Sequence, residues 1–255
     1  MMQEKMLELV PRKLRQLEKE YGIRILYAAE SGSRAWGTHT PTSDFDVRFI
    51  YIRPREDYLK LDSLRDVLEF PIEEGWDMCG WDLRKLLQLL HKSNTQIYEW
   101  FSSPVVYLDD GFSRRFQPVL DAYFSTRPAV YHYLHQAQLK IRKQQKAGDQ
   151  VKVKHYLYAV QHLAAAGWVL EHGRSVPVSF AQLLHCLPPP IRQEAEALLQ
   201  KKAEAVCMDP VPLLDSWQET ADAAIRASLE SLPREAEKTW ETLDRFFLAE
   251  LELSK

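Results

Sequence analysis

The sequence is poor in features that would place it in several common protein classes. Its three cysteines, Cys79, Cys186 and Cys207, are far apart, so neither a disulfide framework nor a cysteine metal site is indicated. No apolar run approaches the roughly 20 residues needed to cross a bilayer. The net charge of −3 provides no general attraction to nucleic acid. We therefore expect a cytoplasmic protein without membrane spans, which meets anionic ligands through local positive charge or a metal ion.

The chain length and the change from mixed strand and helix patterns to helical patterns predict two domains. The 255 residues suffice for one large domain or two modest ones. The N-terminal segment 1–20 is charged throughout, so we expect an amphipathic helix over 3–20 rather than a signal peptide. Residues 1–110 are predicted to form an α/β (α+β) domain with a short mixed sheet. Residues 111–255 are predicted to form a mostly α-helical domain interrupted at proline and glycine positions.

The first part contains apolar, β-prone segments separated by helical patterns. Strands are predicted at 23–29, 45–53 and 104–108, extended segments on either side of Pro71, and helices at 83–92 and 94–101. Asp82 has the position of an N-cap for the helix at 83–92. At the other end of the chain, an amphipathic helix is predicted over 231–253.

The segment 30–52, ESGSRAWGTHTPTSDFDVRFIYI, holds a pair of carboxylates at the start of a strand. Strand alternation places Asp44 and Asp46 on the same face, where two like charges repel unless a cation neutralises them. Carboxylate oxygens suit Mg²⁺, which takes further ligands from water and substrate phosphates. The pattern favours two Mg²⁺ ions, or Mn²⁺ in their place. A bare Asp-x-Asp is common, and alone it would indicate only an acidic strand edge.

The Gly-Ser turn upstream supplies the complementary half of a phosphate site. Gly32 allows the backbone to approach a phosphate closely, and Ser33 adds a hydroxyl donor. Arg34 is placed either for a phosphate contact or for an ion pair with Glu30. Ser43 belongs to the turn-rich loop before the acidic pair, and we include it among the candidate nucleotide-binding residues.

The stretch GSRAWGTHTPTSDFD resembles the signature of the DNA polymerase beta-like nucleotidyltransferase superfamily. The chain is most similar to the branch of predicted nucleotidyltransferases assigned to an RNA repair pathway. The similarity extends through residues 80–107 and 154–170 and covers about residues 20–185. One departure is Gln161, close to where the branch is expected to carry an arginine.

The resemblance implies a third carboxylate on a neighbouring strand, which would serve as a metal ligand or orient the attacking hydroxyl. Asp77 is our first candidate for this catalytic and metal-binding position, with Asp44 and Asp46. Asp82 is the second, although its N-cap position is a sufficient structural explanation. The remaining candidates are Glu69, Glu73 and Glu74.

A basic stretch in the helical part is the clearest positive region of the chain. Residues 140–154, KIRKQQKAGDQVKVK, carry six Lys or Arg and one Asp. Solvated helix ends would explain this composition equally well. The resemblance favours Lys154 and Tyr158 as nucleotide-binding residues, because both lie in the similar segment.

Together these features predict a Mg²⁺-dependent nucleotidyltransferase that moves NMP from an NTP to an acceptor hydroxyl and releases pyrophosphate. The resemblance makes an RNA 3′ end, such as that of tRNA, the first acceptor to test. The alternatives are NMP transfer to a protein side chain or to a small molecule such as an aminoglycoside, and a non-catalytic nucleotide-binding protein. The sequence leaves the NTP and the oligomeric state open.

Overall fold

The computed structural model of the chain describes residues 2–62, 64–71, 75–204, 207–233 and 237–253. They form two compact units. The first unit takes its residues from Met1–Ala35, Ser43–Phe124 and Glu237–Lys255, and the second from Trp36–Thr42 and Ser125–Ala236. The boundary predicted between residues 110 and 111 lies within the first unit.

The first unit is built on a mixed sheet of five strands. In chain order these are β1 Arg24–Glu30, β2 Phe45–Ile52, β3 Val67–Glu69, β4 Trp76–Asp82 and β5 Val106–Asp109. Their spatial order is β3-β4-β2-β1-β5. Strands β2 and β4 are parallel, and each of the other pairs is antiparallel. The mixed sheet confirms the predicted fold class. Pro71 lies between β3 and β4, outside both strands, as expected for a residue that cannot donate to a ladder.

The helices surround the sheet in the first unit and form most of the second. In chain order they are α1 Met2–Tyr21, α2 Gly32–Ala35, α3 Arg55–Tyr58, α4 Leu83–His91, α5 Thr95–Phe101, α6 Phe112–Ala122, α7 Thr126–Ala147, α8 Val153–His172, α9 Phe180–Leu184, α10 Pro189–Lys201, α11 Pro212–Ser231 and α12 Glu241–Leu253. Two further short strands, β6 Val151–Lys152 and β7 Cys207–Met208, pair in the second unit. No described helix is both long enough and apolar enough to cross a membrane.

Strand β2 is buried on both faces along its second half, which positions the site at its beginning. The alternate residues Phe45, Val47, Phe49 and Tyr51 pack with the apolar side of α1. Ile50 and Ile52 pack on the opposite face with the leucines of α4. Asp46 and Arg48 share that second face, because side chains alternate along a strand. They are the partly exposed residues of an otherwise buried strand.

The end of the chain differs from the sequence prediction. A single helix was predicted over 231–253, but α11 ends at Ser231 and α12 begins at Glu241. Pro233 explains the break, because proline lacks the N–H that continues a helix and disfavours helical geometry in the residue before it. Helix α12 packs on the first unit, where Leu243 and Leu251 join the core and Arg115 pairs with the buried Glu250 at 2.7 Å.

Candidate active site

Asp46 and Asp77 lie side by side on neighbouring strands. They are direct partners in the register of the parallel pair β2 and β4. Side chains in matched register point to the same face of the sheet, so the two carboxylates share one surface. Their side chains are 24% and 32% exposed, which leaves both accessible to a ligand. The sheet thus places the first-choice third carboxylate next to the second aspartate of the Asp-x-Asp pair.

Arg48 bridges these two carboxylates. Its Nη2 atom lies 3.2 Å from Asp46 Oδ1 and 2.8 Å from Asp77 Oδ2, while Nη1 donates to the Asp77 carbonyl at 2.8 Å. A guanidinium presents several donors in a fixed plane and therefore suits two acceptors at once. Arg48 was not predicted as a site residue, although its position two residues after Asp46 indicated the shared face.

Gly32 is required where it stands because the carboxylate of Asp46 packs against it. Its φ is +58°, in the left-handed region that favours glycine. A Cβ atom at this position would lie 2.0 Å from Asp46 Oδ2 and 2.7 Å from its Cγ, too close for non-bonded atoms, so the carboxylate would have to move. The backbone is tied to the same strand by a hydrogen bond from Ser31 N to the Asp46 carbonyl, 2.8 Å long. The predicted Gly-Ser turn is the short helix α2, which carries Gly32 and Ser33.

The electrostatics of Asp46 indicate a crowded acidic site. Burial raises the pKa of Asp46 above its ordinary value, and the negative charges of Asp77 and Asp44 raise it further, while Arg48 opposes the shift. Asp44 itself is exposed. Asp44 and Asp77 therefore both lie close enough to Asp46 to influence it.

Glu30 holds the Asp46 backbone in place and was not predicted as a site residue. It is 1% exposed, and its Oε1 atom accepts a hydrogen bond of 2.8 Å from Asp46 N. Its Oε2 atom accepts one from the hydroxyl of Tyr107 on β5. Burial raises the pKa of Glu30, against the lowering effect of these two hydrogen bonds. A charged residue ending the apolar strand β1 was the available signal in the sequence.

Arg34 organises the loop that leads to the acidic pair. Its Nε atom donates to the carbonyl of Asp44 at 3.0 Å, and Nη2 donates to that of Ser43 at 2.7 Å. The guanidinium carbon stacks 3.8 Å from the centre of the Phe45 ring. In the structure Arg34 thus fixes the backbone of residues 43 and 44, and its role towards phosphate stays a prediction.

The other candidates for the third carboxylate are placed differently. Asp82 stands opposite Tyr51 at the far end of β4, about 16 Å along the strand from Asp77. It is the N-cap of α4, as the sequence indicated, and its side chain accepts from Arg84 N at 2.8 Å. Glu69 pairs with Cys79 at the edge of the sheet. Glu73 and Glu74 lie outside the described residues.

The donor set fits a divalent cation in its chemistry. Asp46 and Asp77 offer hard oxygen ligands on one face, with Asp44 nearby, and their mutual repulsion favours a bound cation. In the structure, the guanidinium of Arg48 contacts both Asp46 and Asp77 and supplies the positive charge between them. Within the described ranges, no three or more His, Cys, Asp or Glu side chains are already grouped to hold a metal ion.

Comparison with known proteins decides the family. Residues 6–249 match RlaP, the RNA repair pathway DNA polymerase beta family. The chain belongs to this family. It is also 35% identical, over 245 residues, to the protein YcgL of Bacillus subtilis (strain 168), which is described as uncharacterized. The alignment covers 94% of each chain. The resemblance stated from the sequence is therefore confirmed.

A solved structure with partial likeness is a nucleotidyltransferase-like protein from Exiguobacterium sibiricum. It is 15% identical to the present chain, and the superposition covers 85% of this chain and 73% of the other with a TM-score of 0.31.

The second unit of this RNA repair pathway DNA polymerase beta family member holds the predicted Lys154 and Tyr158 on α8. They are four residues apart and therefore lie on one helix face. Lys202 donates to the Tyr158 hydroxyl at 2.9 Å, and its Nζ atom lies 4.9 Å from the centre of the ring. Lys140 of α7 approaches the same ring at 5.5 Å. No local pattern around Lys202 indicated that it joins this group.

Gln161, the predicted departure from the branch pattern, lies on the same helix in a buried position. Its side chain is 3% exposed, and no described residue hydrogen-bonds to its side-chain oxygen. The expected arginine would therefore place a charge inside the helical unit at this position.

Proposed function

We propose that the protein transfers a nucleoside monophosphate from an NTP to an acceptor hydroxyl, with release of pyrophosphate, and that an RNA 3′ end is the acceptor. The observation that carries the proposal is the pair of in-register carboxylates, Asp46 and Asp77, beside Gly32. Membership of the RNA repair pathway DNA polymerase beta family supports both the reaction class and the acceptor.

The ligands of the proposed centre are Asp44, Asp46 and Asp77. They would hold Mg²⁺, with two ions expected and Mn²⁺ able to replace them. The ions supply neutralisation of the charge that develops on the phosphate oxygens. Glu30 holds the backbone of Asp46 in place, so that only the Asp46 side chain has to exchange Arg48 for the metal ion.

The NTP is proposed to bind through Gly32 and Ser33, next to Asp46. Ser33 donates to a phosphate oxygen, and Gly32, which has no side chain, permits close approach of the phosphate to the backbone. Arg34 and Ser43 position the loop before β2, because the arginine holds the carbonyls of Ser43 and Asp44. Lys154 and Tyr158 are proposed as further nucleotide-binding residues of the helical unit.

Asp77 is proposed to orient the acceptor and take its proton. The hydroxyl oxygen attacks the α-phosphorus as the bond to the departing pyrophosphate breaks, and the hydroxyl proton passes to the Asp77 carboxylate. For Asp77 to act, its ion pair with Arg48 must loosen when the substrate binds. Most of the rate enhancement comes from positioning and from charge neutralisation.

The test is incubation of the protein with each α-labelled NTP, Mg²⁺ and one of three acceptors, namely tRNA, a protein mixture or an aminoglycoside. Label on the RNA 3′ end that disappears in the Asp44→Ala/Asp46→Ala double variant is the expected result. Label found only on protein or on the small molecule would overturn the RNA acceptor and leave the transferase. If nothing is labelled and the double variant binds Mg·NTP as well as wild type does, the enzyme proposal fails.

A further inference from the structure

The helical unit contains two polar regions of opposite character. A cavity of about 650 Å³ between α7 and α11 is lined by Asp215, Glu219 and Asp222 against one cation, Arg142. Such a lining disfavours a phosphate. The group around Tyr158 has the reverse composition, and its cations come from separate elements of the unit.

Two ammonium groups approach the Tyr158 ring, and a third lies near both of them. Lys202 follows α10 and is fixed by two acceptors, the Tyr158 hydroxyl at 2.9 Å and the carbonyl of Thr38. Lys140 approaches from α7, with Nζ 5.5 Å from the ring centre. Lys154 lies one turn before Tyr158 on α8 and is near enough to influence both other lysines. We call Lys140, Lys154, Lys202 and Tyr158 the lysine cluster.

The positive charge of the lysine cluster is not neutralised within the described part of the chain. No described carboxylate forms an ion pair with Lys140, Lys154 or Lys202, although ten other ion pairs occur there. Burial first, and the charge of Lys154 second, lower the pKa of Lys202 to about 8. Burial and the nearby Lys143 and Lys154 lower the pKa of Lys140 in the same way. Like charges gathered at a half-buried place favour an anionic ligand.

We propose that the lysine cluster is a phosphate-binding site in which Lys140 and Lys202, together with Lys154, hold the phosphate groups of a nucleoside triphosphate or of an RNA strand. The proposal deepens the proposed function, because it assigns the phosphate contacts made by the helical unit. Lysine binds phosphate as a point charge with rotatable donors. Several lysines around one ring can therefore bind the phosphate groups of either a nucleoside triphosphate or an RNA strand. Tyr158 keeps the Lys202 ammonium in position through its hydroxyl.

The experiment measures binding without turnover. Wild type and variants are titrated in EDTA with inorganic tripolyphosphate, with a non-hydrolysable ATP analogue and with a single-stranded RNA 12-mer. Lys202→Met and Lys140→Met are each expected to weaken binding by about tenfold for whichever ligand uses the site. If that ligand is RNA, the slope of log affinity against log salt concentration falls by about 0.7 for each lysine removed.

The matched controls are Lys201→Met and Lys146→Met, which remove an exposed charge from the same two parts of the unit without touching the cluster. Lys202→Arg keeps the charge and is expected to retain most of the affinity. Loss that follows the cluster variants supports the site, and the ligand affected identifies the source of the phosphate. If the cluster variants bind all three ligands as the controls do, while far-ultraviolet circular dichroism shows them folded, the proposal is overturned.

The result of this binding experiment can be distinguished from the result of the nucleotide-transfer assay. Cluster-dependent binding without any nucleotide transfer supports the lysine cluster and contradicts the transferase. Transfer with binding unchanged in every cluster variant contradicts the lysine cluster alone.

Discussion

The acidic site of the sheet and the lysine cluster of the helices handle charge in opposite ways. In the sheet, Asp46 and Asp77 share one cation. Arg48 lies on β2 with Asp46 and contacts both carboxylates. In the lysine cluster, cations from three elements meet without a described carboxylate partner. A charge group that is neutralised from within persists without a ligand, whereas one left unbalanced favours a counter-ion from outside. The difference indicates where a metal would have to displace an existing partner and where a phosphate would only have to enter.

The largest effect is expected at the acidic site. Asp46→Ala should lower nucleotide transfer by about 1,000-fold, because it removes a carboxylate of the proposed centre. Asp82→Ala is the control on the neighbouring strand β4: transfer should be retained, while the free energy of unfolding falls by about 2–4 kcal/mol through loss of the N-cap and of the buried contacts with the Tyr58 hydroxyl and Arg53. Transfer assays and urea unfolding measure the two quantities. Equal loss of transfer in two folded variants would contradict the placement of the site.

The next effect tests the close approach of Gly32 and Asp46. Gly32→Ala should lower transfer by about 100-fold, since the new methyl group would occupy the place of Asp46 Oδ2 and displace the carboxylate. Gly37→Ala is the matched control. Its φ of +71° carries a similar backbone cost of about 1 kcal/mol, but no atom lies within 4 Å of the added methyl group. Retention of full transfer by Gly32→Ala would show that Asp46 need not stay where it lies.

A smaller effect, on stability, tests the internal cation. Arg48→Met should lower the free energy of unfolding by about 1–3 kcal/mol, because it leaves Asp46 and Asp77 facing each other without a partner. Arg55→Met removes an exposed pair with Glu252 and should change it by less than about 0.5 kcal/mol. Added Mg²⁺ should restore part of the loss in Arg48→Met. Equal urea midpoints for the two variants would contradict a stabilising role of Arg48 between Asp46 and Asp77.

The smallest expected effect is the pH dependence of stability and of phosphate affinity at the lysine cluster. Because the pKa of Lys202 is lowered to about 8, its ammonium loses a proton in the folded protein before it does in the unfolded chain. The contribution of Lys202 therefore makes the protein more stable as pH rises from about 8 towards 10.5, while phosphate affinity falls over the same range. The groups nearest to the Lys202 ammonium are the Tyr158 hydroxyl, the Thr38 carbonyl and Lys154.

Titration calorimetry between pH 7 and 10 measures the affinity. Lys202→Arg should flatten the dependence, because a guanidinium stays charged throughout this range. A dependence that is the same in wild type and in Lys202→Arg would assign the titration to another group.

Local patterns predicted most of the sheet and part of the candidate site. Alternation of apolar and polar residues located β2, and the Gly-Ser and Asp-x-Asp spacing identified the loop that precedes it. The N-cap role of Asp82 was also readable, since it depends only on the two residues that follow it. These features are local, so neighbouring residues suffice to indicate them. The helix boundary at Glu241 was missed, because the apolar periodicity of 231–253 outweighed the single Pro233.

Contacts between distant segments could not be predicted in the same way. The pairing of Asp46 with Asp77 depends on the parallel register of β2 and β4, and nothing in either segment specifies that register alone. Glu30 becomes a support for Asp46 only because β1 lies between β2 and β5. Lys202 is 44 residues from Tyr158 and 164 from Thr38, and only the packing of helices brings them together.

The sequence by itself determined that the chain carries the glycine, serine and aspartates of a nucleotidyltransferase, and which family it joins. The spacing of the Gly-Ser turn and the aspartates is local and can be read from a few residues, while the family follows from the resemblance of the chain to it and from the match over residues 6–249. The tertiary structure decided which third carboxylate stands beside Asp46, that Arg48 occupies the space between them, and that Lys140 and Lys202 join Lys154. Each of these depends on strand register or on helix packing, where the free energy comes from contacts between segments far apart in the chain.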